Sequence, residues 1–450
     1  MRLIKNARII TNRDKTEIVN LLFDDKIRQI SPNSISETGH QITDLEGLIL
    51  IPGCIDPHVH FNDPGFNHRE DFLSGTQAAA CGGITTIIDM PCTSDPPVVN
   101  RVNLKSKLSV IEPKAVVDFA LWGGIRRNDL LTWDQALPEL WGEGIVGFKI
   151  YTISGMDSFQ DLSYAQIRQI LTEFPKFLFA FHAEDKKIIL DSTSRFSKKE
   201  LEMPNTYPLT RPVKAELKAV KKIILGAHQY SRIHFVHISS REAAKLILKN
   251  KSKFDLTFET CPHYLQFTEA DLNQLKGRIK TAPPVRSLED RTFLRRALCQ
   301  EKIDFVSTDH AGCNFNKEKN LTDFSQVYNG IPGIELMIPY LFSEFYLSGR
   351  ITPDAFIRLT SENAARRFGL YPRKGSLQIG TDADFTIVDP ESEFLVDEHK
   401  LHSLGKYSPL HGKKFRGKIA KTIVRGKTVY DEETCFIHPP GHGIWITRNN

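Results

Sequence analysis

The feature that most constrains the fold of this sequence is a regular alternation of apolar runs with amphipathic stretches between residues 50 and 370. Most of the apolar runs are nearly continuous, which is typical of strands buried on both faces. Amphipathic stretches that predict helices, for example 161–174, 212–230, 241–249 and 288–301, lie between them. The apolar runs that predict strands are eight in number and lie at residues 50–60, 84–91, 116–123, 146–151, 177–184, 232–239, 254–261 and 303–310.

Eight strand–helix units over about 320 residues predict a (β/α)8 or TIM barrel. The alternative is a doubly wound open sheet, which we favour less because open sheets of eight parallel strands are less common. Both ends of the chain differ from the middle, since they carry short apolar runs separated by turn-forming residues, a pattern that indicates antiparallel strands. We therefore predict an α/β protein in which residues 51–370 form the barrel and residues 1–50 and 371–450 form one small β-sandwich domain.

Composition excludes several classes of protein. Hydrophobic residues make up 40% of the chain and charged residues 25%, which is ordinary for a globular protein. The formal net charge is only +5, and no long block of like charges occurs, so we expect neither nucleic acid nor a membrane surface as a partner. No run of 18 apolar residues predicts a membrane span. The seven cysteines are scattered without paired spacing, which favours reduced thiols and a cytoplasmic protein.

Ionisable side chains gather at the ends of the predicted barrel strands, where barrel enzymes place their active sites. His58 and His60 are two residues apart and would point to the same side of a strand. An isolated histidine at a strand end is usually a hydrogen-bonded rim residue, but a set of such groups at one end of a barrel indicates a metal centre. The set comprises His58, His60, Lys149, His182, His237 and Asp309.

Six candidate ligands are more than one tetrahedral ion with an open position can use, whereas two ions that share a bridge would use all of them. Imidazole and carboxylate ligands suit Zn²⁺, with Mn²⁺, Co²⁺ or Fe²⁺ as alternatives. Lys149 lies in an apolar strand, where an unpaired ammonium is costly. It could bridge two cations as a carbamate formed with CO₂, so we expect two divalent ions and an N6-carboxylated Lys149.

Distinctive motifs are spread over nearly the whole chain, at residues 53–60, 82–91, 147–149, 182–184, 234–240, 259–264, 282–286, 307–310, 363–365 and 380–384. They resemble those of the cyclic amidohydrolases in the amidohydrolase superfamily, a group that includes dihydroorotases, allantoinases and hydantoinases. As a set these motifs are highly specific.

The resemblance implies a barrel enzyme that opens a cyclic amide with a metal-bridging hydroxide. It also implies the division of the ligands: His58, His60 and Asp309 would hold the more buried ion, and His182 and His237 the more exposed one. Carboxylated Lys149 would bridge the two, and Asp309 would be the catalytic residue that moves the proton. The protein is further expected to act on a small cyclic ureide or imide and to form a homo-oligomer, either a dimer or a tetramer.

The substrate depends on positions where branches of the family differ. Dihydroorotases usually grip the ring carboxylate with Arg, Asn, Asn and His at positions that here are Asn62, Cys92, Ala282 and Cys313. Because none of these four dihydroorotase residues is present, the carboxylate of dihydroorotate would lack most of its hydrogen-bond partners. Allantoinases tolerate Asn and Cys at positions 62 and 313, and Asn62 can hydrogen-bond a ureido group. The loop at Asn329 either contacts the ring or is a simple Gly/Pro turn.

We therefore expect hydrolysis of allantoin to allantoate. The alternatives are a dihydroorotase or another cyclic ureide hydrolase. Hydantoinases are a weaker match, because the residue five places after the bridging lysine is Ser154, where they usually have Tyr. A scaffold homologue without activity is disfavoured because all six ligand positions are intact.

Overall fold

The computed structural model describes residues 1–11 and 15–449. Its strands in chain order are β1 (Arg2–Thr11), β2 (Lys15–Phe23), β3 (Ile27–Ser31), β4 (Gln41–Asp44), β5 (Ile49–Pro52), β6 (Cys54–Val59), β7 (Ile84–Asp89), β8 (Asp118–Leu121), β9 (Gly123–Gly124), β10 (Phe148–Tyr151), β11 (Leu178–His182), β12 (Arg232–Phe235), β13 (Asp255–Thr260), β14 (Phe305–Val306), β15 (Phe385–Leu395), β16 (Lys414–Val424), β17 (Lys427–Asp431) and β18 (Phe436–Ile437).

The longer α-helices are α1 (Phe72–Cys81), α2 (Arg101–Ile111), α3 (Trp133–Glu143), α4 (Tyr164–Glu173), α5 (Lys186–Thr193), α6 (Val213–Gly226), α7 (Arg241–Asn250) and α8 (Leu288–Cys299). Shorter helical segments are Lys198–Leu201, Tyr207–Thr210, Pro262–Gln266, Leu272–Leu275, Phe315–Lys319, Met337–Leu341, Phe342–Tyr346, Pro353–Ile357, Arg358–Glu362 and Asn363–Arg367. None of the helices in the described ranges combines the length and the apolar composition that a bilayer span requires.

The predicted (β/α)8 barrel is confirmed, and each of the eight apolar runs contains one of its strands. Strands β9 to β14 form one parallel sheet, and β6, β7 and β8 form another. The amide of His60 donates to the carbonyl of His310 at 2.8 Å, and the amide of Val146 donates to the carbonyl of Leu121 at 3.1 Å. These contacts join the two sheets on both sides and close the barrel, so the carboxyl ends of all strands face one side.

Strands from both ends of the chain form one nine-stranded sheet, as the sequence predicts for a β-domain built from both termini. The join is made by β5 and β15, which pair antiparallel with Leu50 opposite Ile387. The pattern differs from the expected purely antiparallel pairing, because β1 runs parallel to both β4 and β5. Apolar side chains of the nine-stranded sheet, among them Leu21, Phe23 and Phe385, pack into a separate hydrophobic core.

A buried ion cluster ties this sheet to the barrel. The ammonium of Lys374, which is 1% exposed, lies 2.5 Å from Asp118 at the start of β8. It also lies 2.6 Å from Asp384 and 3.0 Å from Asp382, just before β15. Because an unpaired buried charge is costly, the cluster couples the folding of the two parts.

Candidate metal centre

The first group of ligand candidates converges on one carboxylate oxygen at the mouth of the barrel. The Nε2 atoms of His58 and His60 lie 3.2 and 3.1 Å from Oδ1 of Asp309. One ligand atom from each of the three residues lies within 4.8 Å of the others. His58 and His60 come from the end of β6 and Asp309 from just beyond β14, which are neighbours in the closed barrel. Two imidazoles and a carboxylate are thus brought together as the sequence predicts.

The second group comprises His182 at the end of β11 and His237 just beyond β12. Nδ1 of His182 lies 3.1 Å from Nε2 of His237. The opposite nitrogen of His182, Nε2, lies 3.1 Å from Glu184, whose carboxylate also accepts hydrogen bonds from Arg211. A carboxylate in this place favours the tautomer with a proton on Nε2, so the lone pair on Nδ1 points toward His237.

Lys149 lies near both groups. Its side chain is fully buried, and its Nζ atom has no hydrogen-bond partner within the described residues. Burial lowers the pKa of Lys149 to about 8. Its charge contributes to the lowered pKa of His58 in one group and of His237 in the other, with burial as the larger cause in both. The amine is therefore close to both groups, but it donates no hydrogen bond to a residue of either group.

Two residues of the centre have a strained backbone. His237 and Asp309 have φ angles of 40° and 50°, in the left-handed region that non-glycine residues seldom occupy.

The carboxylate of Asp309 has an unusually low pKa for a buried group. Burial alone would raise its pKa, but the imidazoles of His58, His60 and His237 lower it well below its usual range. The carboxylate is therefore held in its ionised form.

The polar atoms of the centre fit a divalent cation. The buried atoms His58 Nε2 and Lys149 Nζ have no hydrogen-bond partner in the described part of the chain. Buried polar atoms are normally paired, and each exception needs an explanation such as an ion. Burial lowers the pKa of His58 to about 4, which keeps its imidazole neutral, as a metal ligand must be. The donors therefore suit metal binding in type and position.

A cavity of about 530 Å³ opens above the centre and is lined by His60, His182, His237 and Asp309 among others. Of the five predicted substrate-binding residues, Cys92, Ala282 and Asn329 line it. The other two, Asn62 and Cys313, do not. Asn62 is fully buried and its amide donates to the carbonyl of His60 at 3.2 Å, and the thiol of Cys313 lies 3.4 Å from the hydroxyl of Tyr407.

Several residues that line the cavity were not predicted as site residues. Arg69 and Tyr328 come from loops, and the guanidinium of Arg69 lies 4.5 Å from the centre of the Tyr328 ring. Nε of Arg69 also lies 2.7 Å from Glu318. Tyr151 and Ser154 both line the cavity, and the Tyr151 hydroxyl lies 3.2 Å from the thiol of Cys92. Two of these residues carried a sequence signal, since Tyr151 lies two residues and Ser154 five residues after Lys149.

Comparisons with known proteins agree with this fold. Residues 49–429 match the model of the amidohydrolase family. An allantoinase of Rubrobacter xylanophilus is 34% identical over 89% of this chain and 88% of its own length. A D-phenylhydantoinase of Escherichia coli is 32% identical over 99% of this chain and 98% of its own length. The structure of an L-hydantoinase (dihydropyrimidinase) from Arthrobacter aurescens superposes with a TM-score of 0.93 at 29% identity, covering 99% of each chain.

Fold and site together define a (β/α)8-barrel protein with a candidate metal centre at the carboxyl ends of its strands. The chain belongs to the amidohydrolase family. It is a hydrolase that acts on the C–N bonds of cyclic amides, and enzymes of this family typically bind divalent metals. The predicted class of enzyme is therefore confirmed.

Proposed function

We propose that this enzyme hydrolyses allantoin to allantoate at a centre of two divalent ions, with Zn²⁺ as the metal. The observation that carries the two-ion proposal is the buried Nζ of Lys149, which has no hydrogen-bond partner in the described residues and lies near both groups of ligands. His58, His60 and Asp309 would hold one ion, and His182 and His237 the other. Lys149 would join them as a carbamate, because its lowered pKa increases the fraction of neutral amine that can react with CO₂.

When bound, divalent ions lower the pKa of water and polarise a carbonyl oxygen, the chemistry that ring opening at neutral pH requires. The carboxylate of Asp309 would accept the proton of the attacking water and pass it to the ring nitrogen as the C–N bond breaks. Glu259 and Glu184 would keep the rings of His58 and His182 in place, because each binds the nitrogen opposite to the ligand atom.

Polar groups in the cavity support allantoin as the substrate. Arg69, Ser154 and Asn329 can donate to or accept from a ureido substituent. Arg69 is already paired with Glu318, so the charge that it offers to a carboxylate substituent is largely balanced.

Ring opening of dihydroorotate is the second candidate, and the presence of Arg69 in the cavity favours it. A guanidinium can bind a carboxylate through two parallel hydrogen bonds. NH1 and NH2 of Arg69 form no hydrogen bond within the described residues, so they remain available despite the contact with Glu318. Hydantoins and dihydropyrimidines also stay candidates, because relatives with those names cover nearly the whole chain.

A substrate panel on metal-replete enzyme tests the proposal: allantoin, dihydroorotate, 5-phenylhydantoin and dihydrouracil. We expect kcat/KM for allantoin to exceed that for dihydroorotate by at least about tenfold, or roughly 1.4 kcal/mol. The opposite ranking would contradict the proposal. In that case Arg69→Met should abolish turnover of dihydroorotate while leaving turnover of dihydrouracil, which has no carboxylate, within about threefold.

A further inference from the structure

Lys280 is a buried cation that is paired with carbonyl groups instead of a carboxylate. Its side chain is nearly inaccessible, with the residue 2% exposed. Nζ donates to the carbonyls of Phe324 and Val327 at 2.6 Å each and to that of Ser325 at 3.4 Å. Within the described ranges it forms no ion pair, although it lies over the rings of Tyr207 and Phe324. Its closest partners are therefore backbone carbonyls and aromatic rings, and burial lowers its pKa to about 7.

Lys319 has the same kind of environment on the other side of the same loop. The residue is 2% exposed, and Nζ donates to the carbonyls of Tyr328 and Gly330 at 2.7 Å each. Its third acceptor, at 3.1 Å, is the backbone carbonyl of Lys280. The two lysines are thus linked, and each ammonium has three carbonyl acceptors for its three N–H groups.

Five of the six acceptors lie in residues 324–330, the segment that forms one wall of the substrate cavity through Ser325, Gln326, Val327, Tyr328 and Asn329. A buried ammonium without such acceptors would be strongly unfavourable, so the charges keep these carbonyls turned away from the cavity. The backbone N–H and C=O of Asn329 form no hydrogen bond in the described part of the molecule. They remain available to a ligand in the cavity.

We propose that Lys280 and Lys319 are positioning residues, whose ammonium groups hold segment 324–330 in the shape that binds the cyclic amide. Neither lysine touches the metal ligands or lines the cavity, so both act through the loop. The proposal rests on the cavity as the substrate site but not on the choice of allantoin. Any cyclic amide that the wild-type enzyme hydrolyses serves as the probe, so a failure with allantoin alone would leave this inference testable.

The test compares Lys280→Met and Lys319→Met with the wild-type enzyme. Methionine has a similar length but cannot bind the carbonyls. We expect KM to rise about tenfold or more in each variant, while kcat stays within about threefold and the metal content is unchanged. The matched control is Lys251→Met, which removes an ammonium bonded to Asp304. Lys251 precedes β13 and Asp304 precedes β14, so this pair lies at the opposite end of the barrel from the cavity. The control should keep the wild-type KM.

A purely structural role for the two lysines predicts a different result. In that case the variants would lose thermal stability with KM unchanged, or would lose kcat and kcat/KM equally, and either outcome would overturn the proposal. If the Met variants do not fold, Lys280→Gln and Lys319→Gln retain a neutral donor for the carbonyls. These variants should fold with an intermediate KM; a wild-type KM, or failure to fold, would also show that positioning of the loop is not their role.

Discussion

Nδ1 of His58 lies 2.5 Å from Oε1 of Glu259, at the bottom of the metal centre. The second oxygen of Glu259 lies 3.1 Å from Nε2 of His234, whose Nδ1 is in turn 3.0 Å from the hydroxyl of Thr257. Burial alone would raise the pKa of Glu259, but His58 and His234 lower it well below its usual range. The ionised carboxylate therefore fixes the proton of His58 on Nδ1 and leaves Nε2 free for a metal.

Replacing Glu259 with Gln should weaken metal binding without removing a ligand. Loss of such a partner typically costs about 10- to 100-fold in metal affinity, because the imidazole becomes less basic and less well oriented. Titration of the metal-free protein with Zn²⁺ against a competing chelator measures the change. Glu398→Gln is the control, since Glu398 is also buried but pairs with Arg278. Equal affinities in the wild type and Glu259→Gln would show that the carboxylate has no such role.

Asp309→Asn should separate proton transfer from metal binding. The amide keeps one oxygen for a cation but cannot accept the proton, so kcat should fall by about 10²- to 10⁴-fold while part of the metal is retained. Steady-state kinetics and metal analysis of the same sample give both quantities. Asp161→Asn, which alters a carboxylate paired with Lys186, serves as control. If Asp309→Asn keeps its rate within about threefold, another group moves the proton.

The cluster around Lys374 predicts a pH dependence of stability. Burial alone would raise the pKa of Asp382, but Lys374 and Lys26 lower it to about 2. Since this lies below the unfolded value of about 3.9, the group stabilises the fold above about pH 4, and the contribution is lost as pH falls toward 2. Burial raises the pKa of Asp384 in the same cluster, which opposes this effect. The contribution of the cluster is therefore measured as the difference between the wild type and Lys374→Met in urea unfolding at pH 7 and pH 3.

Lys374→Met should remove much of this contribution and leave three buried carboxylates without their ammonium. Loss of one partner from a buried ion pair costs about 3–5 kcal/mol, so the variant should be less stable at pH 7. Its free energy of unfolding should also fall less between pH 7 and pH 3, because Asp382 no longer has so low a pKa. A variant as stable as the wild type would show that the cluster does not stabilise the fold.

Much of the fold could be predicted because barrel strands and helices have strong sequence patterns. Strands buried on both faces are continuous apolar runs, and the stretch 241–249 predicts a helix that the structure places at Arg241–Asn250. Strand β4 could not be predicted, since Gln41–Asp44 is mostly polar and largely exposed. The parallel pairing of β1 with β4 and β5 depends on long-range contacts that leave no local pattern.

The positions of the candidate metal ligands were easier to predict from the sequence than the residues that line the cavity. Side chains at strand ends point where the strand directs them, so His58 and His60 meet Asp309 as expected. Loop residues have no such constraint, and their side chains follow tertiary contacts. Asn62 turns to the carbonyl of its own strand, whereas Arg69 reaches the cavity along the Tyr328 ring. Glu259 could have been found, because it ends a buried strand where only paired carboxylates are tolerated.

Elemental analysis of the wild-type enzyme and Lys149→Ala, purified side by side with excess Zn²⁺ and bicarbonate, tests the two-ion centre most directly. We expect the wild type to approach two ions per chain. The alanine variant should hold fewer and be inactive, with partial rescue by short carboxylic acids that replace the carbamate. One tightly bound ion per wild-type chain, together with an active Lys149→Ala variant, would contradict the proposed centre.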